Sequence, residues 1–167
     1  IDSDKIFTLR NIPDMDKIVS KTKNAQNFVV VGGGFIGLEV AENLIEAGKS
    51  VKLVELGNQV MAPVDFDIAS FVHEKAKQKN LELLLNVGVE KFNDKGETIE
   101  VFLNDGTSVE TDAVILAIGV KPETKLAVEA GLEIGETRGI LVNEFLQTSN
   151  PDIYAVGDAV ETINLVT

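Results

Sequence analysis

Three closely spaced glycines stand where an apolar run gives way to a helical pattern. Residues 29–44 read VVVGGGFIGLEVAENL, in which Gly32, Gly34 and Gly37 satisfy the pattern G-x-G-x-x-G. The first glycine of this pattern permits a tight turn, the second lets a pyrophosphate approach the backbone, and the third lets the helix pack closely on the strand. The helix would direct N–H groups and about half a positive charge at the phosphates. The predicted chemistry is dinucleotide binding by Gly32, Gly33, Gly34, Ile36 and Gly37.

An acidic residue follows the glycine motif at the spacing that a dinucleotide-binding pattern requires. Glu55 lies 18 residues beyond Gly37, at the end of a second apolar run, VKLVE (51–55). At this place a carboxylate can accept hydrogen bonds from both hydroxyls of the adenine ribose. It would repel a 2′-phosphate, and residues 56–72 contain no lysine or arginine that could bind one. NAD(H) is therefore favoured over NADP(H).

Two alternatives stay open from these residues alone. A glycine-rich turn in an unrelated α/β sheet would leave Glu55 merely solvated. The ADP half of FAD uses the same glycine turn and the same kind of acid, so these features do not distinguish FAD from NAD(H).

Strands and helices alternate around these residues. The apolar runs at 28–31, 51–55 and 81–85 indicate buried strands, and helical periodicity follows the first two. The first helix (35–47) ends at Gly48, a C-terminal cap, and Asp65 or Asp67 would begin the second. The order predicts an α/β fold, a Rossmann-like parallel sheet with right-handed crossover helices. The predicted buried positions are Ile36, Val40, Leu44 and Ala47 in the first helix, and Ile68, Phe71, Val72 and Ala76 in the second.

The alternation of strands and helices stops after residue 86. Short strands at 87–92, 97–103 and 107–110, separated by turn sequences, predict an inserted antiparallel β-meander whose apolar face carries Ile99, Val101 and Leu103. A buried parallel strand is predicted at 113–117. Beyond it we expect a helix near 124–130 and strands near 140–142 and 153–156. Residues 1–24 are polar, with a short helix after Pro13.

Composition excludes several kinds of site. The net charge of −12 argues against nucleic acid as a partner. The chain has no cysteine, and its one histidine, His73, argues against a metal site or a Ser–His triad. We find neither an apolar signal core nor an apolar run of the roughly 20 residues that a membrane helix needs. We therefore expect no metal, no membrane partner and a cytoplasmic location.

Three motifs in order carry a resemblance that covers essentially the whole chain. GGGFIGLEVAENL (32–44), AIGVKP (117–122) and IYAVGDA (153–159) resemble the flavin- and pyridine-nucleotide-dependent disulfide reductase superfamily. FTLRNIPDMDKI (7–18) resembles the branch of coenzyme A-disulfide reductases, NADH oxidases and NADH peroxidases. The resemblance implies an NAD(H)-binding domain, Rossmann-like with a β-meander, inserted in an FAD domain. It assigns the glycine motif seen here to NAD(H) and FAD to the full-length parent.

The resemblance also implies roles for individual residues. Phe35 matches an aromatic residue that covers the flavin until nicotinamide displaces it, with plain helix packing as the alternative. Glu39 matches a glutamate near the nicotinamide carboxamide and the flavin; the alternative is an acid in the first helical turn that complements the dipole. Gly119 matches a glycine of the segment that returns to the FAD domain. Asp158 matches an aspartate that holds the ribityl and pyrophosphate region of FAD, and a turn or capping residue is the alternative.

Departures from the family pattern predict a fragment. The N-terminal FAD fingerprint, the redox cysteine after it and the C-terminal dimerisation domain are missing. We expect residues 1–24 to be a linker and the edge of the FAD domain, residues 25–119 the NAD(H)-binding domain, and residues 120–167 a partial return segment of the FAD domain. The parent would be a homodimer, and a monomer is open for the fragment.

The favoured function is docking of NADH for hydride transfer to a flavin. No catalytic residue is expected within the fragment, and Phe35 and Glu39 are candidates for gating. A complete short-chain dehydrogenase would need a lysine four residues after its tyrosine, but the only tyrosine is Tyr154 and position 158 is aspartate. A non-enzymatic module that senses the NADH/NAD⁺ ratio stays as the alternative.

Overall fold

The chain forms two compact units, Ile1–Gly119 and Val120–Thr167. A computed structural model describes residues 3–162. The elements of the first unit are β1 (Ile6–Thr8), α1 (Ile12–Lys21), β2 (Asn27–Val31), α2 (Phe35–Glu46), β3 (Ser50–Glu55), α3 (Phe66–Gln78), β4 (Glu82–Leu85), β5 (Val89–Asp94), β6 (Ile99–Leu103), β7 (Ser108–Thr111) and β8 (Ala113–Leu116).

A parallel five-stranded sheet in the order β1-β8-β2-β3-β4 organises the first unit. Each of the βαβ segments β2-α2-β3 and β3-α3-β4 places its two strands side by side. The inner strands β8 and β2 are apolar at every position except Asn27, because side chains on both faces are covered. The predicted α/β, Rossmann-like fold is confirmed.

Alternate residues of β2 belong to two separate cores. Phe28 and Val30 pack in the cluster that contains Ala41 of α2 and Ala76 of α3. Val29 and Val31 pack in a second cluster, with three buried residues of β6: Ile99, Val101 and Leu103. Successive side chains of a strand point to opposite faces, so the helices cover one face of the sheet and the meander covers the other.

The meander is antiparallel, in the order β5-β6-β7. Its middle strand shows the predicted alternation, since Ile99 and Val101 are 0% exposed and Glu100 and Phe102 are half-buried. The first strand begins at Val89 rather than at the predicted Val87. Residues 87–88 instead lead out of the parallel sheet.

The predicted helix faces are right in part, because Val40, Leu44, Val72 and Ala76 lie in or against the core. α2 buries Gly37 and Ala41, while Ile36 is 41% exposed and Ala47 is exposed. α3 buries two residues, Ala69 and Ala76. Small side chains let a helix approach the sheet closely, and larger residues such as Leu38, Ile45 and Val72 pack partly buried beside them. The predicted burial of Ile68 and Phe71 is wrong, because they are 56% and 73% exposed.

Residues 3–24 are more ordered than the polar sequence predicted. β1 adds to the edge of the parallel sheet by pairing with β8, and Phe7 is only 4% exposed. α1 begins at Ile12, with Asn11 as its N-cap and Pro13 in its first turn. This segment is therefore part of the same sheet.

The second unit has little regular structure. It contains α4 (Lys125–Glu129), β9 (Ile140–Leu141) and β10 (Val160–Glu161), and the two strands pair in parallel. The strand predicted at 153–156 is wrong: Tyr154 forms only an isolated bridge to Gln147. No helix between residues 3 and 162 is long and apolar enough to cross a membrane.

Candidate functional site

A cleft of about 690 Å³ opens at the carboxyl edge of the parallel sheet. Its walls are the turn after β2, the ends of β3 and β8, and the part of the chain that enters the meander. The carboxyl edge is where ligands bind in open parallel sheets. All of the lining residues belong to the first unit: Val31, Gly32, Gly33, Gly34, Val54, Glu55, Leu56, Val87, Gly88, Val89, Glu90, Phe92, Asn104, Leu116, Ala117, Ile118 and Gly119.

Two of the three motif glycines are required by the packing of the protein itself. Gly32 has φ +110°, and its N–H donates to the carbonyl of Val54 at 2.8 Å. A Cβ at Gly32 would collide with the carbonyl oxygen of Ala117, and one at Gly37 would collide with that of Gly32. The helix start is thus pressed against the end of the strand, as the motif predicted.

Gly34 is different. Its backbone (φ −77°, ψ −173°) is open to any residue, and a Cβ placed there would have no protein atom within 4 Å. It precedes the first helical residue, and no side chain of residues 3–162 caps this end of α2. No steric contact therefore requires glycine at this position, which is the N-cap of α2. The space above it belongs to the cleft, beside the N–H groups of the first turn.

Glu55 lies in the wall of the cleft with both oxygens engaged. Oε2 accepts the N–H of Gly33 at 2.6 Å, and Oε1 accepts the N–H of Gly57 at 2.7 Å. Each oxygen of a carboxylate can accept more than one hydrogen bond, so capacity is left for two hydroxyls. The carboxylate thus also orients the glycine turn, a role that the sequence did not predict.

The predicted gating residues do not line the cleft. Phe35 is the first residue of α2 and is 61% exposed. Glu39 is exposed and borders a smaller groove of about 200 Å³ between α2 and α3. The alternative for Glu39, an acid in the first turn, is wrong because that turn contains no acidic residue.

The two remaining predicted site residues, Gly119 and Asp158, lie in different units. Gly119 lines the cleft with φ +99°. Asp158 lies in the second unit, on an exposed turn that is closed by the Val160 N–H and the Gly157 carbonyl at 3.2 Å.

Sequence reasoning missed the wall that the meander supplies. The Asn104 side chain accepts the N–H of Gly88 at 3.0 Å, and the Asn104 N–H donates to the Gly88 carbonyl at 2.9 Å. A Cβ at Gly88 would lie 3.1 Å from the Leu56 side chain. Gly88 follows β4, so the rule that ligands bind at carboxyl ends could have found it. Nothing in the sequence pointed to Asn104, which comes from a turn of the meander.

The charged lining residues of the cleft are both acidic, Glu55 and Glu90, and none of the lining residues is a lysine or arginine. The N-terminus of α2 brings the positive end of a helix dipole to the same edge. A helix N-terminus attracts anions, and carboxylates repel them.

Comparison with known proteins settles the family. The family model described as pyridine nucleotide-disulphide oxidoreductase matches residues 2–167. The chain belongs to this family. The predicted resemblance is therefore confirmed.

Longer proteins of this kind contain a similar segment. The chain is 39% identical to the NADH oxidase of Methanocaldococcus jannaschii, over 99% of this chain and 37% of that protein. It is similar to the reduced CoADR-RHD structure of Bacillus anthracis (48% identity, TM-score 0.86), over 93% of this chain and 28% of that one. For an NAD-dependent persulfide reductase from A. fulgidus the values are 36% identity and TM-score 0.91, over 98% of this chain and 30% of that one. The pyridine nucleotide-disulphide oxidoreductase chain described here thus corresponds to about a third of each of these proteins.

Proposed function

We propose that this chain is the NAD(H)-binding part of an FAD-dependent pyridine nucleotide-disulphide oxidoreductase and positions NADH for hydride transfer to the flavin. The observation that carries the proposal is Gly34. No contact within the protein requires glycine there, yet a side chain would project into the cleft at the N-terminus of α2. A ligand that lies against the backbone explains this choice of residue.

Different residues of the cleft would bind different parts of the dinucleotide. The pyrophosphate would lie over Gly34, where the N–H groups of the first turn of α2 face it. The adenine ribose would donate to the carboxylate of Glu55, which Gly33 and Gly57 already hold in place. NADP(H) would bring a 2′-phosphate toward this carboxylate without a cation to balance it, so NAD(H) is the proposed cofactor.

Only the resemblance to the family assigns residues to the nicotinamide end of NADH. Phe35 and Glu39 would act as gating residues there, and both are exposed on α2. FAD, bound by the whole protein, would supply the hydride acceptor, and this chain would orient NADH and contribute Asp158. Residues 25–119 would form the NAD(H) domain, and residues 120–167 a partial return segment of the FAD domain in a homodimeric parent. Residues 1–24 would be a linker and the edge of the FAD domain, although their strand β1 joins the parallel sheet.

The substitution Gly34→Ala tests the proposal. Alanine fits the backbone angles of Gly34 and meets no protein atom. Because it is a poorer N-cap than glycine, the thermal unfolding temperature should fall below that of the wild-type chain by no more than about 4 °C. NADH affinity, measured by titration calorimetry, should fall at least about tenfold, because the methyl group occupies the space of the pyrophosphate. Unchanged affinity with an intact fold would reject the assignment of the cleft.

The alternative of an NADH/NAD⁺ sensor shares the same binding step. The two functions separate at the flavin, because only the oxidoreductase passes a hydride onward. We expect the purified chain to be colourless, and we expect the full-length parent to be yellow and to lose its flavin absorbance when NADH is added. A flavin that NADH leaves oxidised in the parent would favour the sensor.

A further inference from the structure

The loop that joins β3 to α3, residues 56–65, holds the glycine turn in place. The Met61 N–H donates to the Gly33 carbonyl at 2.8 Å. The Val60 side chain is 0% exposed, and its Cγ1 would lie 2.9 Å from a Cβ at Gly33. Gly57 shares the carboxylate of Glu55 with Gly33. The conformation of Gly33 therefore depends on where this loop lies.

The loop is in turn held by the single histidine of the chain. The Val60 N–H donates to Nε2 of His73, on α3, at 3.2 Å. The ring is half-buried and lies edge-on to Phe66, with centroids 6.2 Å apart. Nε2 can accept this bond only in a neutral imidazole that carries its proton on Nδ1. A protonated ring donates at both nitrogens and would face a buried N–H that no longer has an acceptor.

We infer that His73 is a positioning residue for the dinucleotide cleft: its neutral ring holds the 56–65 loop against Gly33, and its protonation weakens NAD(H) binding. This inference rests on the proposed function. The direction follows from the hydrogen bond. Affinity is full where the ring is neutral and falls where it is protonated, because the protonated ring no longer accepts the Val60 N–H.

The charged groups near His73 do not offer a competing switch. On α3 these are Glu74 and, one turn on, Lys77; Asp65 lies on the loop, and Glu55, at the end of β3, is bonded to Gly33 and Gly57. No salt bridge within residues 3–162 includes His73. Carboxylates and lysines ordinarily keep their charge between pH 6 and 8.

The first arm of the test follows the ligand-free chain by NMR between pH 8 and 5.5. The ring signals of His73 and the backbone amide signals of Val60, Met61 and Gly33 should move with one common midpoint. In the His73→Gln chain the amide signals should stay still, because the side-chain oxygen of glutamine accepts a hydrogen bond and does not titrate. Amide signals that stay still while the wild-type ring titrates would overturn the inference.

The second arm measures NADH affinity at pH 8.0 and 6.0. The wild-type chain should bind more weakly at pH 6.0, and the loss should stay below about five to tenfold, the limit set by one lost hydrogen bond in a buried place. His73→Gln should bind at both pH values about as the wild type does at pH 8.0. His73→Leu should bind weakly at both. An equal fall with pH in wild type and His73→Gln would assign the pH dependence elsewhere and reject the role of His73.

The two arms separate this inference from the proposed function. If no chain binds NADH at pH 8.0, the assignment of the cleft fails, and the link from His73 to a dinucleotide fails with it. The amide titration still decides whether the ring controls the loop. If NADH binds and the amides do not follow the ring, the function stands and the role of His73 is rejected.

Discussion

The two units of the chain are held together in different ways. The first unit, Ile1–Gly119, contains both hydrophobic clusters, one on each face of its parallel sheet. Within the described part of the second unit, Val120–Thr167, only Ala127, Gly139 and Thr148 are less than 9% exposed. Large apolar side chains there face solvent, among them Leu126 (80%), Phe145 (72%) and Val156 (69%).

Hydrogen bonds of turns take the place of a core in the second unit. The Thr148 hydroxyl donates to the Asn150 and Ile153 carbonyls, and the Glu161 carboxylate accepts from the Thr137 N–H and hydroxyl. Each such bond contributes only about 1 kcal/mol net, whereas a buried Leu or Val side chain contributes about 1.5–3 kcal/mol. We conclude from this difference that the first unit supplies most of the stability of this chain and the packed framework of the cleft.

The largest expected effect comes from the core of the first unit. Leu53 is 0% exposed in β3, whereas Leu126 is 80% exposed in α4. Leu53→Ala should lower the free energy of unfolding by about 2–5 kcal/mol because it leaves a cavity, and Leu126→Ala should change it by less than about 0.5 kcal/mol. Urea denaturation followed by circular dichroism measures both. Equal losses would contradict the contrast between the units.

The next effect concerns binding and compares one carboxylate from each unit. Glu55→Ala removes the proposed ribose acceptor and the partner of the Gly33 N–H, so NADH affinity should fall about tenfold or more, as for loss of hydrogen bonds to a charged group. Asp158→Ala changes the exposed turn of the second unit and should leave NADH affinity within about twofold. Calorimetry on the two variants and wild type gives the comparison. A larger loss for Asp158→Ala would mean that the second unit helps to bind NADH.

The smallest effect is electrostatic. The Ser3 hydroxyl, the Gly96 N–H and the Lys5 ammonium lower the pKa of Asp94 from 3.8 to about 2. In the second unit, the hydroxyl and N–H of Thr137 lower the pKa of Glu161 below 4.5. A depressed pKa contributes stability that is complete above the unfolded-state value and is lost as the pH falls through the folded-state value.

As the pH falls, the second unit should therefore lose its stabilising carboxylate before the first unit does. Carboxyl carbon NMR should show Asp94 ionised until about pH 2, and Asp94→Asn should make the attachment of β1 to the meander weaker at pH 5 but change little at pH 2. Glu161 should lose its charge first. Protonation of Asp94 before Glu161 would show that the first unit loosens earlier in acid, against the comparison.

Much of the first unit could be predicted from local patterns. Strands β2, β3 and β4, helices α2 and α3, and the meander all lie within a few residues of their predicted positions. The second unit was harder, because two-residue strands and a single bridge at Tyr154 have no periodicity to detect. β1 was missed for the same reason. Its three residues gain their place from pairing with β8, about a hundred residues away.

The candidate site was predictable in part. The glycine spacing predicted that Gly32 and Gly37 are packing positions, since a turn and a helix start follow from neighbouring residues. The other walls of the cleft were not predicted, because Asn104 and Gly88 meet across a turn of the meander. Phe35 and Glu39 were expected at the nicotinamide by resemblance, and both lie outside the lining of the cleft.

The sequence alone determined the order of strands and helices, the place of the glycine turn and the carboxylate that follows it, because backbone stereochemistry and apolar periodicity act over a few neighbouring residues. Only the tertiary structure decided which motif glycine has no protein atom near its Cβ position, which faces of the helices are buried, and that Glu55 bonds to the glycine turn while His73 bonds to the neighbouring 56–65 loop. Those features depend on distances between residues far apart in the chain, and only the packed fold sets such distances.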